Sequence, residues 1–315
     1  MTSLNHTRSV ETMPRWRVSA QRAEEIRTGL IFIAPALIFM LLLVGYPVIY
    51  NFILGFQNVT AFNLATGAER RFVGLDNYIS LFQTPTMWIA IRNSLFFTFV
   101  CLVFQFSIGL AFAILFNKKF ALARHLRGFL VITWMMPITV TALLFRYMLS
   151  AEVGIFDAIL MGIGITSEPI GWLVRNDTAI WGPILANIWI GIPFNMLLLT
   201  TGLASIPEEI YESASIDGAG PWQRFVWITI PLLRPAMLAV LVLGFVYTFK
   251  VFDLIFVMTG GGPVNATEVL STLSYRESFS FFNFSRGAAV ANVLFIILFL
   301  VGLIYLKLIK TEEAS

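Results

Sequence analysis

The sequence predicts an all-α integral membrane protein of six transmembrane helices with both termini in the cytoplasm. Three observations predict it: the composition, the length of the uncharged runs, and the placement of the basic residues. Of 315 residues, 58% are hydrophobic and only 12% charged, with a mean hydropathy of +0.82. A soluble domain carries about 25% charged residues, so a globule of this size would be left with a mostly apolar surface. A disordered chain is excluded as well, because it needs low hydrophobicity and high net charge.

A helix needs about 20 apolar residues to cross a hydrocarbon layer roughly 30 Å thick. Only helices and closed barrels satisfy the backbone there, and the runs here are continuous rather than alternating, which excludes barrel strands. No charge occurs in Leu30 to Gln57, Asn93 to Asn117, Gly128 to Phe145 or Thr178 to Pro207. Pro235 to Phe249 is also uncharged, and the fifth helix is expected to continue past Lys250 and Asp253 to about Met258. Gly287 to Leu306 supplies the sixth. The first run is too long for a signal-peptide core and lacks a small-residue cleavage site beyond it, so it reads as a retained span.

The chain thus divides into a cytoplasmic Arg-rich tail over 1–28, a first transmembrane helix over 29–57 and an external loop over 58–92. A transmembrane core over 93–309 contains a cytoplasmic loop over 205–231, and a cytoplasmic tail over 310–315 follows.

Orientation follows from Lys and Arg, which accumulate in cytoplasmic loops. Thirteen fall on the side of the termini, among them Arg8, Arg15, Lys118, Lys119, Arg124, Arg127, Arg224, Lys307 and Lys310; six fall opposite. This asymmetry accounts for the net charge of +3 and pI near 9.1 without a nucleic-acid partner. The single cysteine, Cys101, cannot form an intrachain disulfide and reads as a small buried hydrophobe. His6 and His125 stand too far apart, with no second cysteine, for a zinc site.

Two external connections are longer than hairpin loops. Phe72-Val73-Gly74-Leu75-Asp76-Asn77-Tyr78, followed by Ile79, Leu81 and Phe82, suggests a short helix lying on the membrane surface. In 151–177, Trp172 reads as an interfacial anchor. Gly260-Gly261-Gly262-Pro263 breaks the helix after the fifth span.

The most informative stretch is Ser205 to Pro235. Ser205 and Glu208 have the spacing of a capping box, Ser hydroxyl to the N3 amide and carboxylate back to the cap amide. Pro207 suits a first turn, and Glu208, Glu209 and Glu212 lie near the positive end of the helix dipole. Ile206, Ile210 and Ala214 recur at spacing four, Ser213 to Ser215 keep the helix thin, and Gly218 and Gly220-Pro221 end it. A second short helix, about Trp222 to Thr229, would lead through Pro231 into the fifth span. On these residues two readings stand side by side: a knob whose small residues let a partner approach closely, and a helical loop lying on lipid headgroups.

Glu212-Ser213-Ala214, three residues, Gly218, nine residues and Ile228-Thr229-Ile230-Pro231 resembles the EAA signature of ABC importer membrane subunits. That pattern is Glu-Ala-Ala, three residues, Gly, nine residues, Ile, any residue, Leu-Pro; Ser213 and Ile230 depart from it conservatively. Ile206-Pro207-Glu208-Glu209-Ile210-Tyr211, Asp217-Gly218-Ala219 and Pro231-Leu232-Leu233-Arg234-Pro235 resemble carbohydrate permeases of the maltose and glycerol-phosphate type. Phe252-Asp253 with Thr259 to Pro263, and Phe72 to Tyr78, add to the likeness, which covers roughly residues 29–309.

The resemblance implies a type I importer transmembrane fold in a bacterial inner membrane. Two such permease subunits, usually non-identical, would pair with two ATPase subunits and receive a sugar or sugar derivative from a periplasmic binding protein. Glu212, Ser213, Ala214, Asp217, Gly218, Ile228 and Pro231 would couple to the ATPase, which would bias a bistable bundle between inward and outward states. ATP and Mg would be bound on that partner, with no catalytic residue, cofactor or metal on this chain. In keeping with this, none of its lysines follows glycine, so it has no Gly-x-x-x-x-Gly-Lys phosphate loop.

Polar residues at membrane depth are costly and face cavities. Lys250 and Asp253, three apart on the expected fifth helix, read either as a pair stabilising a helix end or as part of the pathway or its gate. Gly and Pro in the fourth span, from Gly182-Pro183 to Gly191 and Pro193, bend a helix where it lines a cavity. A sugar needs amides for its hydroxyls and an aromatic face for its C–H side. Asn187, Trp189, Asn195, Tyr247, Thr248 and Asn292 are of those types, each reading either as an interhelical contact or as a ligand to the sugar, with Arg146 and Tyr147 weaker candidates. A secondary transporter would need repeated halves and midplane acidic residues, and a membrane enzyme convergent nucleophiles or metal ligands; the sequence offers neither.

Overall fold

The computed structural model describes the backbone of residues 15–313 apart from 119 and 121, with side chains for 24 and for 26–308 apart from the same two. Residues 1–14 of the expected tail, and 314–315 at the other end, lie outside the described residues. The chain divides into two units, Met1–Ile53 and Leu54–Ser315. In the first, α1 (Arg15–Met40) runs through a π-turn at Leu41–Gly45 into α2 (Tyr46–Gly55), and Ile26–Gly55 is long and apolar enough to cross a bilayer.

The second unit opens with a small hairpin, β1 (Gln57–Asn58) antiparallel to β2 (Arg71–Phe72), enclosing α3 (Ala61–Thr66). Next comes α4 (Asp76–Phe82), the expected short helix, which docks on the fold through one face while Ile79 and Phe82 stay exposed. Leu81 is buried in a cluster with Met87, Ala90, Phe249, Leu270 and Val290. Asn77 Nδ2 donates to the carbonyls of Gly55 and Gln57 at 2.9 and 2.8 Å. An apolar helix face has the same periodicity whether it meets lipid or protein, so the sequence pattern could not separate the two.

Helix α5 (Pro85–Asn117) begins eight residues before the uncharged run, with Pro85 in its first turn; Arg92, inside the helix, is exposed and donates to Asn93 Oδ1 at 3.4 Å. The third span is a bent pair, α6 (Ala123–Met135) and α7 (Ile138–Met148), which meet at 97°. Pro137 causes the bend: its ring forces the preceding residue out of the helical region, and Met136 has ψ of 139°. Among the described residues five helices are long and apolar enough to span, six if this pair is one span.

After α8 (Ile155–Gly162), Trp172 is no plain interfacial anchor. It is half-buried, and its Nε1 donates at 2.8 Å to Asp157, a buried carboxylate that also accepts the Ile170 amide. Helix α9 (Trp181–Ala204) leads to α10 (Glu208–Ile216). Then α11 (Pro221–Arg224), a π-turn at Phe225–Thr229 and α12 (Ile230–Phe249) form one continuous rod, Pro221–Phe249. Long helix α5 packs along α9, and α12 lies against both. Buried Cys101 joins Phe97, Ala142, Phe145 and Ile184 in one core; Ala113, Met196, Leu199 and Leu233 form another nearer the prong described below.

The rod does not continue to Met258 as expected. It stops at Phe249, and a separate helix α13 starts at Asp253 (Asp253–Met258). Phe252 has φ of −124° and ψ of −60°, and the Val251 carbonyl accepts the Ser271 hydroxyl of α14 (Leu270–Tyr275), which holds the chain at the break. Beyond a π-turn at Arg276–Ser280 comes the last span, α15 (Phe284–Glu313).

The connection between α13 and α15 buries its charges. Glu268 is fully buried, with Arg276 Nη1 2.7 Å from one oxygen and Thr272 Oγ1 donating to the other at 2.8 Å. Asn93 Nδ2 donates to the carbonyls of Ala266 and Glu268, both at 3.0 Å, tying the loop to α5. Glu277 pairs with Arg286 at 3.1 Å. Burial pushes the Glu268 carboxyl above its ordinary value, against the pull of Thr272 and Arg276.

Candidate functional site

Two places on the second unit gather the residues singled out by the sequence. The first is a cavity of about 260 Å³ between α5, the bent pair, α9 and α12. Asn187, Gly191, Phe194 and Asn195 come from α9, Gln105 from α5, Trp134 and Ile138 from either side of the bend, and Gly244, Tyr247 and Thr248 from α12.

Sterics set its floor. Gly191 is required by close approach: a Cβ there would collide with the Gln105 carboxamide. That carboxamide is buried, and its Nε2 donates to the Asn187 carbonyl at 2.8 Å, bonding α5 to α9. Asn195 Nδ2 is used within α9, donating to the Gly191 carbonyl at 2.8 Å. Two side-chain polar atoms of the residues lining this cavity are left over. Asn195 Oδ1 is buried with no hydrogen-bond partner, and Asn187 Nδ2 has only the weakly accepting Cys101 thiol nearby. Buried amide groups are nearly always paired; these two atoms lie beneath the cavity lining, closed to a water-sized molecule, so a ligand would reach them only after a side-chain rearrangement. Facing them is an aromatic wall. Trp134 and Phe194 lie 6.0 Å apart at 33°, and Phe194 meets Tyr247 edge-on at 5.8 Å. No lining residue is charged.

Of the expected pathway residues, the structure brings Asn187, Asn195, Tyr247 and Thr248 together here and leaves the others elsewhere. Trp189 does not line the cavity. Lys250 and Asp253 do not share a helix face, since the rod ends between them, and they form no ion pair among the described residues. Lys250 Nζ instead stands over the Tyr247 ring, 5.1 Å from its centroid, and Asp253 occupies the first turn of α13. Asn292 is fully buried and donates to Tyr78 Oη at 2.9 Å, an interhelical bond. Arg146 Nη1 bonds the Val257 carbonyl at 3.2 Å near the end of α13. Sequence reasoning missed Gln105, Trp134 and Phe194. Gln105 had a signal, as a lone amide deep in an apolar run; the two rings had none among so many aromatics.

The second place is the prong formed by α10. The expected capping box does not form: Ser205 closes α9, donating its hydroxyl to the Gly202 carbonyl at 2.7 Å, and Pro207 precedes α10 with no side-chain cap. The chain turns too early for Ser205 to reach the α10 amides. At the far end Gly218 has φ of 81°, a left-handed conformation costly for side chains with a Cβ. The Ala219 amide reaches back to the Ala214 carbonyl at 2.9 Å, the six-to-one bond of a glycine-terminated helix. Two bonds brace α10 to the foot of the rod: Tyr211 Oη to Thr229 Oγ1 at 3.0 Å, and Arg224 Nη1 to Ser215 Oγ at 2.8 Å. Glu212, Ser213, Asp217 and Gly218 are exposed, Ala214 and Ile228 half-buried, and Ile216 at the tip is 87% exposed. Pro231 is exposed just past the π-turn and does not break the rod.

A family model described as "Binding-protein-dependent transport system inner membrane component" matches residues 105–310, which include both places. The chain belongs to this family. It is the permease component of an ABC transporter and a multi-pass membrane protein. The trehalose/maltose transport system permease protein MalF of Thermococcus litoralis is 32% identical over 289 residues, 92% of this chain and 96% of that protein. The sulfoquinovosyl glycerol transport system permease protein SmoG of Agrobacterium fabrum is 30% identical, covering 96% of each. In fold, the chain resembles a subunit of a bacterial alginate ABC transporter crystallised with an alginate pentasaccharide-bound periplasmic protein. The TM-score is 0.74 at 22% identity, covering 93% of this chain and 96% of that one. The architecture is the type I importer transmembrane fold.

Proposed function

We propose that this permease passes a sugar or sugar derivative across a bacterial inner membrane, taking it from a periplasmic binding protein, with both termini in the cytoplasm. In this reading a second, related permease subunit completes the pathway. Two separate ATPase subunits hold ATP and magnesium, and this chain has no catalytic role. The observation that carries the reading is the cavity: uncharged, walled by Trp134, Phe194 and Tyr247, and lined by the amide residues Gln105, Asn187 and Asn195. Rings cover the C–H face of a sugar, and amides exchange hydrogen bonds with its hydroxyls. The names of MalF and SmoG, both carriers of glycosides, support the same class.

The prong supplies the coupling. Glu212, Ser213, Ala214, Asp217, Gly218, Ile228 and Pro231 form the surface offered to the ATPase. The braces from Tyr211 and Arg224 pass its movement to the rod that lines the cavity through Gly244, Tyr247 and Thr248. Uptake into vesicles holding the whole transporter should require ATP and survive collapse of ion gradients. Asn187→Ala and Asn195→Ala should each cut uptake about tenfold, the value of one hydrogen bond to a buried polar group. Unchanged uptake in both variants would remove the cavity from the pathway.

A further inference from the structure

A second and larger cavity, about 750 Å³, lies beside the prong rather than at its tip. It is enclosed by the last turns of α5 and α9, the start of the rod, and α10; none of the tip residues Ile216, Asp217 and Gly218 lines it. Its walls are of two kinds. Ile114, Leu203 and Phe225 supply apolar lining, and Lys118 and Arg224 supply cations, with Trp222 also in the lining. Lys118 forms no ion pair among the described residues, and Arg224 has only the Ser215 hydroxyl. Glu208 is the one acidic lining residue, so the cavity carries a net charge of +1. Trp222 is 72% exposed, as an indole at headgroup depth would be.

We infer that this cavity is a binding site for one anionic phospholipid of the cytoplasmic leaflet, its phosphate on Lys118 and Arg224 and an acyl chain on Ile114, Leu203 and Phe225. The inference rests on the orientation proposed above. A cationic pocket between the inner ends of spanning helices suits an anionic headgroup in that leaflet. The apolar wall decides between a lipid and a free anion, because inorganic phosphate or a soluble phosphate ester would leave it unused. Arg224 and Thr229, which line the cavity, are also the rod's ends of the two braces to α10. A bound lipid would therefore stiffen the link between prong and rod, and the leaflet's composition would tune coupling.

The test uses the complete transporter, ATPases included, in nanodiscs of phosphatidylethanolamine with or without phosphatidylglycerol. Native mass spectrometry of the released complex should show retained phosphatidylglycerol. Retention should fall about fivefold in Lys118→Gln, the worth of one cation near an anionic surface, and also in Ile114→Trp, which fills the acyl wall without altering charge. Uptake per ATP hydrolysed should rise with phosphatidylglycerol in the wild type and respond less in both variants. Equal retention of the two lipids, equal retention in wild type and both variants, or displacement by glycerol phosphate alone would each overturn the site. Crosslinking from Ala214 to the ATPase, run in parallel, tests the coupling reading separately. Lipid retention without that crosslink would sink the coupling and leave the site, and the reverse result would do the opposite.

Discussion

The regions beyond the two ends of the Pro221–Phe249 rod treat charge in opposite ways. Before its start, Glu208, Glu209, Glu212 and Asp217 are exposed and, among the described residues, none is ion-paired. Beyond its end, Glu268 and Glu277 are buried, each paired with an arginine, and the loop they anchor is bonded to α5 through Asn93. Burying charge without a partner is costly, so charges turned inward must be matched within the fold. One end thus turns Glu268 and Glu277 inward onto arginines, with Lys250 and Asp253 left exposed beside it. The other keeps carboxylates and an apolar tip facing outward, held in shape by a glycine turn and two side-chain braces.

The comparison can be broken most forcefully at the buried pairs. Glu268→Ala leaves the Arg276 guanidinium beside a buried gap and should cost about 3 kcal/mol, read as a fall in melting temperature of the detergent-solubilised protein; a neutral result would mean the charges are not holding the loop. At the prong, stability should hardly change while coupling does. Gly218→Val places a β-branched residue at φ of 81°, a strain of about 1–2 kcal/mol, and should uncouple ATP hydrolysis from uptake by tenfold or more with membrane insertion intact. Uptake at the wild-type rate would remove the prong from the coupling path.

Smaller effects sharpen the contrast. Tyr211→Phe removes the bond to Thr229 and should lower uptake per ATP about fivefold, equivalent to about 1 kcal/mol, with little change in thermal stability. The folded-state pKa of Glu268 is raised by burial, so its stabilising contribution is fully present below the ordinary carboxylate pKa and is lost as pH rises through the raised value. Wild type should therefore gain in melting temperature relative to Glu268→Gln as pH falls from neutral. The opposite trend would show that the Arg276 pair outweighs burial.

Much of this was legible in the sequence. The uncharged runs marked the spans because hydrocarbon tolerates little else, and Gly218 marked the end of α10 because few other residues take up its backbone conformation. The motif from Glu212 to Pro231 located the prong although the capping box assigned to Ser205 does not form. The candidate site was half legible. Asn187, Asn195 and Tyr247 were found from residue type, but Asn292, of the same type, bonds Tyr78 instead, and type alone does not reveal a partner 214 positions away.

The sequence by itself determined the membrane class, the long apolar helices and the glycine-ended prong, since these follow from local hydrophobicity, charge and turn chemistry. Only the tertiary structure decided which polar side chains share a cavity, that Pro137 folds the third span through 97°, and that the rod stops at Phe249. Each of those depends on contacts distant in sequence or on an angle, and hydrophobic periodicity carries no information about either.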